Sequence, residues 1–220
     1  MDGFLLIDKP GGMTSHDVVD RVRRLLGIRR VGHGGTLDPL ATGLLIVMVG
    51  QATRKAASLL DSDKTYVATL CLGATTDTQD AQGRVIERRP VEGLREEEIR
   101  RAFEKFRGPI TQQVPSFSAV RISGKRAYEL ARAGKEIPPR FRNVDIRELE
   151  ILRFDPPEVE FRVTCSKGTY IRTLCADIGR ELGCGGFLKE LRRTRIGTIS
   201  VDQAVRLDRL EPGRILSVLP

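Results

Sequence analysis

Residues 32–50 read GHGGTLDPLATGLLIVMVG, and this stretch joins a glycine-rich loop to the most apolar segment of the chain. Leu44 to Val49 is the longest apolar run in the sequence, and Gly43 and Gly50 bound it. Such a run has the length of a strand that is buried on both faces. We therefore expect a central strand here, directly preceded by a loop that carries Asp38.

Two interpretations of Asp38 are open. An aspartate followed by proline is a common helix start, with Asp38 as the N-cap and Pro39 in the first turn. That helix would be barely one turn long before Gly43. The second interpretation is a rigid carboxylate that a ligand can reach, because Gly34 and Gly35 permit close approach and Pro39 disfavours helical backbone at Asp38. A carboxylate held in this way suits nucleophilic catalysis.

The glycines around Asp38 do not match the known nucleotide-binding loops. The chain has no GxxxxGK[ST] motif after these glycines, and Leu37 stands where GxGxxG needs its third glycine. A GxSxG nucleophile elbow to accompany His33 and Asp38 is also missing from the sequence. The sequence therefore gives no support to an enzyme that acts on a nucleotide or a phosphorylated sugar through such a loop.

The pattern along the chain predicts an α+β fold with a mixed, largely antiparallel sheet flanked by helices. Predicted helices cover 15–26, 52–60, 94–106, 127–133 and 171–182, and a turn of helix opens 187–200. Predicted strands cover 4–7, 44–49, 64–72, 84–88, 118–122, 144–154 and 158–165. We interpret 73–83 as a polar loop without core residues, and 1–220 as one domain with a lobe around 90–150.

The charge balance narrows the choice of partner. The sequence has 37 Lys and Arg against 29 Asp and Glu, a net charge of +8 and a pI near 9.7. A basic excess favours a polyanionic partner, although a solvated basic surface is an equally good explanation of charge alone. The arginines cluster before the Asp38 motif, at Arg29 and Arg30, and late in the chain, at Arg192, Arg193 and Arg195.

Cysteine spacing and hydropathy argue against a metalloprotein, a disulfide-bonded protein and a membrane protein. The four cysteines show no CxxC spacing, and only two histidines could join them at a metal, so we expect neither a metal site nor a disulfide. No apolar run approaches the about 18 residues that cross a membrane. The N-terminus is a poor signal peptide. We expect a cytoplasmic protein that does not interact with membranes.

Five further stretches accompany the Asp38 motif and give the chain a family resemblance. GHGGTLDPLATGLL resembles the active-site motif of pseudouridine synthases, specifically of the tRNA pseudouridine-55 synthase family. The other stretches resemble blocks of the same family in the same order: GFLLIDKPGGMTSHDVV, KTYVATLCLGATTDTQDAQG, VPSFSAVRISGKRAYELARAGK, SKGTYIRTLCADIGRELG and FLKELRRTRIG. The resemblance spans residues 3 to 200.

The resemblance implies a pseudouridine synthase fold and an enzyme that acts on tRNA. Such an enzyme breaks the N-glycosidic bond of uridine 55 in the T-arm loop, rotates the uracil and rejoins it through carbon, without cofactor or metal. The family nucleophile falls on Asp38, a carboxylate suited to the positive character that develops at the anomeric carbon. The target base must first leave its stack, which costs a few kcal/mol.

The resemblance also assigns the other site residues. Arg172 would pair with Asp38 and keep it ionised, and Tyr66 would stack on the flipped uracil. Family substrate positions fall on His33, Asp80, Tyr170 and Leu191, while basic residues would hold phosphates at Lys167, Arg192, Arg193 and Arg195. Ordinary structural roles remain open for each of them: a surface arginine, a strand tyrosine, a loop histidine, a turn aspartate and a core leucine.

Two departures from the family pattern affect the expectations. Phe117 and Arg121 stand where we expect a tyrosine and a lysine, and the positive charge at 121 is kept. Many relatives carry a small C-terminal RNA-binding domain, whereas this sequence stops at Pro220, so we expect either a protein that lacks this domain or a catalytic fragment. In both cases we expect weaker tRNA affinity with the chemistry intact. We expect a monomer.

The alternative function for this chain is a non-catalytic RNA binder or tRNA-folding protein that uses the same basic cleft.

Overall fold

The structure is a computed structural model of the chain. It describes residues 2–55, 61–118, 120–122, 124–127, 130, 133–135, 137–217 and 219. Three α-helices and fourteen strands lie in this part of the chain, together with short 3-10 segments. The predicted helix 127–133 and the second half of the predicted helix 52–60 fall largely outside the described residues.

The helices and strands are numbered in chain order. The helices are α1 (Ser15–Leu26), α2 (Glu96–Glu104) and α3 (Ile171–Glu181). The strands are β1 (Gly3–Lys9), β2 (Val31–His33), β3 (Thr42–Val49), β4 (Lys64–Leu72), β5 (Ala74–Thr76), β6 (Val85–Arg88), β7 (Gly108–Gln113), β8 (Arg121–Ile122), β9 (Lys125–Arg126), β10 (Phe141–Asp155), β11 (Glu158–Cys165), β12 (Gly186–Ile196), β13 (Ile199–Ser200) and β14 (Val205–Arg206).

The chain divides into two compact units, Met1–Val67 with Glu190–Pro220, and Ala68–Lys189. Strands β4 and β12 contribute residues to both units because the boundary falls within each of them. The sheet of the first unit has the order β14-β1-β3-β12-β4, with β2 on β3 and β13 on β12. The sheet of the second unit has the order β12-β4-β11-β10-β7.

The predicted central strand is confirmed in the first unit. Residues Gly43 to Val49 of β3 are all buried, as expected for a strand covered on both faces. β1 pairs with it antiparallel, from Gly3 opposite Val49 to Lys9 opposite Gly43. β12 pairs with its beginning in parallel, with Arg193 opposite Gly43. These pairings bring the start of β3 next to the end of β1 and the middle of β12.

Helix α1 lies in the first unit and has well-defined ends. Thr14 is its N-cap, and a capping box joins Thr14 to Asp17. Gly27 ends the helix in the left-handed conformation. Val18, Val19 and Val22 form its buried face, so the predicted amphipathic helix is confirmed.

The second unit carries a sheet in which strand β11 has one buried and one less buried face. Buried and less buried residues alternate along β11, which confirms the pattern predicted for residues 158–165. Helix α2 packs on the buried face, where the ring of Phe103 meets that of Phe161 edge-on at 5.3 Å. Within the described residues, no helix is both long and apolar enough to cross a membrane.

Two local predictions were wrong. The turn of helix expected at the start of 187–200 is instead part of strand β12, because this segment pairs with β3 on one side and β4 on the other. The 73–83 loop does contain core residues, since Ala74, Thr76 and Asp80 are buried. In both segments, contacts with distant parts of the chain outweigh the local sequence pattern.

Candidate active site

The Asp38 loop lies in the first unit, between β2 and β3. No helix follows Asp38: residues 39 and 40 form a bend, and β3 begins at Thr42. The helix-cap interpretation is therefore wrong. The side chain of Asp38 is partly accessible, whereas Leu37 next to it is buried. The structure thus presents a carboxylate on a loop that is anchored by its neighbours.

Every backbone carbonyl from residue 35 to residue 39 accepts a hydrogen bond within the first unit. The donors to these carbonyls are, in order, Arg193 Nη2 to Gly35 (3.1 Å), Arg193 Nη1 to Thr36 (3.4 Å), Ser15 Oγ to Leu37 (3.1 Å), the Ala41 amide to Asp38 (3.0 Å) and the Gly12 amide to Pro39 (2.8 Å). The Leu37 amide also donates to Ser15 Oγ at 2.8 Å. A backbone fixed at five successive residues leaves Asp38 few orientations.

A buried lysine, Lys9, supports the other end of the loop. Its side chain is fully buried, and Nζ donates to the carbonyls of Pro10 (2.8 Å) and Met13 (2.6 Å), with Pro39 at 3.5 Å. Burial lowers the pKa of Lys9 to about 8, while the negative charge of Asp38 acts in the opposite direction. Lys9 therefore lies close enough to Asp38 for the negative charge of Asp38 to act on it.

Arg193 is another buried cation of the first unit, with 1 % of its surface exposed. Its Nε donates to the Leu44 carbonyl at 2.8 Å, and its side chain is hydrogen-bonded to Tyr66. Burial lowers the pKa of Arg193, and the Tyr66 hydroxyl opposes that shift. The expectation that Arg193 holds an RNA phosphate is wrong, because its donors point at carbonyls and a phenol inside the protein.

The remaining residues of the first unit that were predicted for the site differ in how far they are exposed to solvent. Tyr66 on β4 is 9 % exposed, and His33 ends β2 with part of its surface accessible. Leu191 is partly buried, and its carbonyl lies 3.5 Å from Thr42 Oγ1. Arg192 forms a two-bond ion pair with Asp8, at 3.0 and 2.8 Å. Their roles in substrate binding stay predictions.

The second unit contains a buried acid and a buried base from the predicted set. Asp80 is 5 % exposed, and its Oδ1 accepts from Thr78 Oγ1 (2.6 Å) and from the Gln82 amide (3.0 Å). Its Oδ2 lies 4.0 Å from Nη1 of Arg172, which also donates through Nη2 to the Phe117 carbonyl at 2.8 Å. Asp80 thus organises its own turn and faces Arg172. The predicted pairing of Arg172 with Asp38 stays a prediction.

Tyr170 and Lys167 come just before α3. The backbone of Tyr170 is held by the buried side chain of Gln112, which accepts from its amide at 3.0 Å and donates to its carbonyl at 3.2 Å. The Tyr170 ring lies 5.8 Å from the guanidinium carbon of Arg172, within cation–π range. Lys167 is exposed, so a phosphate could reach it.

Sequence reasoning did not single out three residues that hold predicted site residues: Lys9 and Ser15 at the Asp38 loop, and Gln112 at Tyr170. It singled out Arg193 for the wrong reason. Lys9 and Ser15 lie in a stretch that the family resemblance covers, which was the available signal for them. No periodicity or motif distinguishes buried Arg193 from exposed Arg195 two residues later. Only the pairing of β12 with β3 separates them.

Solved structures with the same fold define the class of protein. The chain matches a structure titled as an H/ACA RNP bound to a substrate RNA containing 2'-deoxyuridine, at 32 % identity and a TM-score of 0.71, over 94 % of this chain and 52 % of that one. It matches a Cbf5-Nop10-Gar1 complex at 32 % identity and a TM-score of 0.72, over 94 % and 53 %. The predicted α+β pseudouridine synthase fold is confirmed.

The family follows from the sequence comparisons. Residues 23–171 match the model of the TruB family pseudouridylate synthase N-terminal domain, and residues 172–215 match that of the tRNA pseudouridylate synthase B C-terminal domain. The chain belongs to the TruB family of pseudouridylate synthases.

Two curated relatives show how closely the chain follows this family. The tRNA pseudouridine synthase B of Thermobifida fusca is 49 % identical over 95 % of this chain and 74 % of its own length. That of Burkholderia lata is 51 % identical over 96 % of this chain and 65 % of its own length. The chain spans about two thirds to three quarters of these relatives, and about half of the solved chains.

Proposed function

We propose that this chain converts uridine 55 in the T-arm loop of tRNA to pseudouridine. The observation that carries the proposal is Asp38, a partly accessible carboxylate on a loop in which the five carbonyls from residue 35 to residue 39 are hydrogen-bonded. Membership of the TruB family and relatives named tRNA pseudouridine synthase B support the choice of reaction and substrate. Because those relatives are bacterial tRNA-modifying proteins, we propose the cytoplasm as the place of action.

The reaction is an isomerisation, so its atoms balance without a co-reactant. The bond from the ribose anomeric carbon to N1 of uracil breaks, the base rotates, and a bond from the same carbon to C5 forms. The proton at C5 leaves, and N1 of the product carries a proton. The ribose becomes electron-poor as the base departs, and the Asp38 carboxylate is the group in the first unit suited to act on it.

Other residues would serve binding. Tyr66, which carries an aromatic ring, would recover about 1–3 kcal/mol by stacking on the extruded base. The net charge of +8 favours a polyanion, and Lys167, which is exposed, would contact a phosphate. We propose that Asp80, Arg172 and Tyr170 shape the substrate-binding part of the second unit, and that His33, Leu191 and Arg192 do so in the first.

The test is release of tritium from a tRNA transcript labelled at C5 of uracil. We expect turnover by the native chain, a loss of several orders of magnitude in Asp38→Asn, and unchanged tRNA affinity in that variant. Asp20→Asn is the matched control, because Asp20 lies on α1 with 47 % of its side chain exposed, and it should keep native turnover. A transcript with cytidine at position 55 should release no tritium.

The same experiment separates this enzyme from a non-catalytic RNA binder. Binding without tritium release by either the native chain or Asp38→Asn would support the binder. Turnover that Asp38→Asn leaves unchanged would remove Asp38 from its assigned role.

A further inference from the structure

Arg193 forms hydrogen bonds to three separate parts of the first unit, although it takes no part in the bond changes of the proposed reaction. Its guanidinium donates to the carbonyls of Gly35 and Thr36 in the Asp38 loop and to that of Leu44 in β3. It is also hydrogen-bonded to the side chain of Tyr66 on β4. One planar group therefore connects the loop that carries the proposed nucleophile to the tyrosine proposed to receive the base.

We propose that Arg193 is a positioning residue, which holds the Asp38 loop and the Tyr66 hydroxyl in a fixed relation to each other. The inference rests on the proposed function, since it assigns a task within that reaction. Arg193 acts through Asp38 and Tyr66 and does not touch the substrate, because 1 % of its surface is exposed.

Charge burial is the first argument for this role. Transferring a guanidinium from water to a protein interior is unfavourable, and well-packed apolar residues often replace buried charges without loss of stability. The partners of Arg193 are neutral carbonyls and a phenol, so no carboxylate among these contacts offsets the cost. A residue needed only to fill space would be apolar.

Donor geometry is the second argument. A guanidinium has five N–H donors in one rigid plane, whereas the ammonium of lysine places three donors on a single atom. Arg193 uses Nε, Nη1 and Nη2 on three carbonyls that belong to two segments, in addition to its bond to Tyr66. Lysine at this position would keep the charge but could not reach all four acceptors at once.

The local backbone supplies the third argument. β12 approaches β3 closely at Gly43, where a Cβ would lie 2.3 Å from the Arg193 carbonyl oxygen. Gly43 has a φ of +99°, a conformation that side chains rarely adopt. This close approach fixes the position of the Arg193 backbone beside the strand that follows the Asp38 loop. The guanidinium therefore extends from a backbone that cannot shift.

The test compares Arg193→Lys with Arg24→Lys, which changes an exposed arginine of α1 in the same unit. Three quantities are measured for each variant and for the native chain: the melting temperature, the tRNA dissociation constant, and the single-turnover rate of pseudouridine formation with enzyme in excess. We expect Arg193→Lys to bind tRNA within about threefold of native and to lose about 100-fold or more in rate, because a displacement of about 1 Å at a reacting group has that effect. Arg24→Lys should match the native rate.

A double-mutant cycle with Tyr66→Phe separates positioning from a structural role. If Arg193 acts through the Tyr66 hydroxyl, Arg193→Lys should reduce the rate less in the Tyr66→Phe background than in the native background. Additive rate losses, or an Arg193→Lys rate within threefold of native, would overturn the proposal. Should Arg193→Lys melt below the assay temperature, Arg193→Gln replaces it with the same criteria, because glutamine removes the buried charge and keeps an amide donor.

The native chain in the same assay keeps the two proposals distinguishable. Native turnover with a normal Arg193→Lys rate would overturn the positioning role and leave the proposed function standing. A native chain without turnover would overturn the proposed function and the positioning role with it.

Discussion

Gly43 lies directly against the backbone of Arg193: a Cβ added at Gly43 would stand 2.3 Å from the Arg193 carbonyl oxygen and 2.9 Å from its amide nitrogen. The two residues are opposite each other where β12 runs parallel to β3. This contact fixes the position of the Arg193 backbone beside the start of β3, and so the point from which its side chain extends toward the Asp38 loop. Residue 43 must therefore be a glycine, because any side chain there would clash with the backbone of Arg193.

The first prediction concerns Gly43→Ala. We expect it to lower the free energy of unfolding by about 3 kcal/mol or more, because the new methyl group meets backbone atoms that cannot move independently. Gly27→Ala is the control, since Gly27 also has a positive φ, +65°, but has open space where its Cβ would stand. Backbone strain alone should cost Gly27→Ala about 1–2 kcal/mol. Urea denaturation measures both, and equal losses would contradict the packing role of Gly43.

The second prediction concerns the pH dependence of stability through Lys9. Its pKa is about 8 in the folded chain against 10.5 for an ordinary lysine, so the unfolded chain binds more protons between these values. The contribution of Lys9 to the free energy of unfolding should therefore rise with pH between about 8 and about 10.5. Below pH 8 Lys9 is charged in both states, and the burial penalty is present in full.

Comparison with Lys9→Met isolates that contribution from other groups that titrate in the same range. We expect the native chain to gain more stability than Lys9→Met between pH 8 and pH 10 in urea denaturation. In Asp38→Asn the rise should begin at a lower pH, because the negative charge of Asp38 raises the pKa of Lys9. Parallel pH profiles for the native chain and Lys9→Met would show that the lysine is not perturbed.

The third prediction concerns Ser15→Ala. Ser15 Oγ accepts from the amide of Leu37 and donates to its carbonyl, and the residue is buried. Removing the hydroxyl leaves these two backbone groups without that partner, which should cost about 1–3 kcal/mol in stability. It should also lower the turnover of tritium-labelled tRNA, because Leu37 is adjacent to Asp38.

Thr14→Ala is the matched control for Ser15→Ala. It removes the N-cap of the same helix, where Thr14 Oγ1 accepts from the Asp17 amide at 3.1 Å, and should cost about 1 kcal/mol. The Asp38 loop keeps all its contacts in that variant, so turnover should remain native. A loss of turnover in both variants in proportion to stability would argue against a specific effect of Ser15 on the loop.

The fourth prediction concerns Asp80→Asn in the second unit. Asparagine can keep the bonds to Thr78 and the Gln82 amide but removes the charge that faces buried Arg172. Breaking one side of a buried ion pair typically costs about 3–5 kcal/mol, and we expect a loss at the lower end because the two groups are 4.0 Å apart. Asp77→Asn should lose less than about 1 kcal/mol, since its partner Arg84 is almost fully exposed. Similar losses in the two variants would mean that the charge of Asp80 is not paired with Arg172.

The local sequence pattern correctly predicted the helices and strands in which the buried residues recur at the period of that element. The apolar run 44–49 became the buried part of β3, the alternation of 158–165 became β11, and the valines of 15–26 became the inner face of α1. It failed for Asp80, which lies in a polar stretch yet is buried. The Gln79 carbonyl and the Ala81 amide on either side of Asp80 bond to the backbone of Leu188, more than 100 residues away in the chain.

The amino-acid sequence by itself determined the fold class, the buried strands and the family, because apolar periodicity and a chain-long set of motifs are local properties of the residues. Tertiary structure decided how the residues predicted for the site are buried and held. It turned Asp38 from a possible helix cap into a held carboxylate, and it buried Arg193 while leaving Arg195 exposed. The physical reason is that the bonds of Arg193 to the loop and to β3 join residues about 150 positions apart, and no local pattern encodes such contacts.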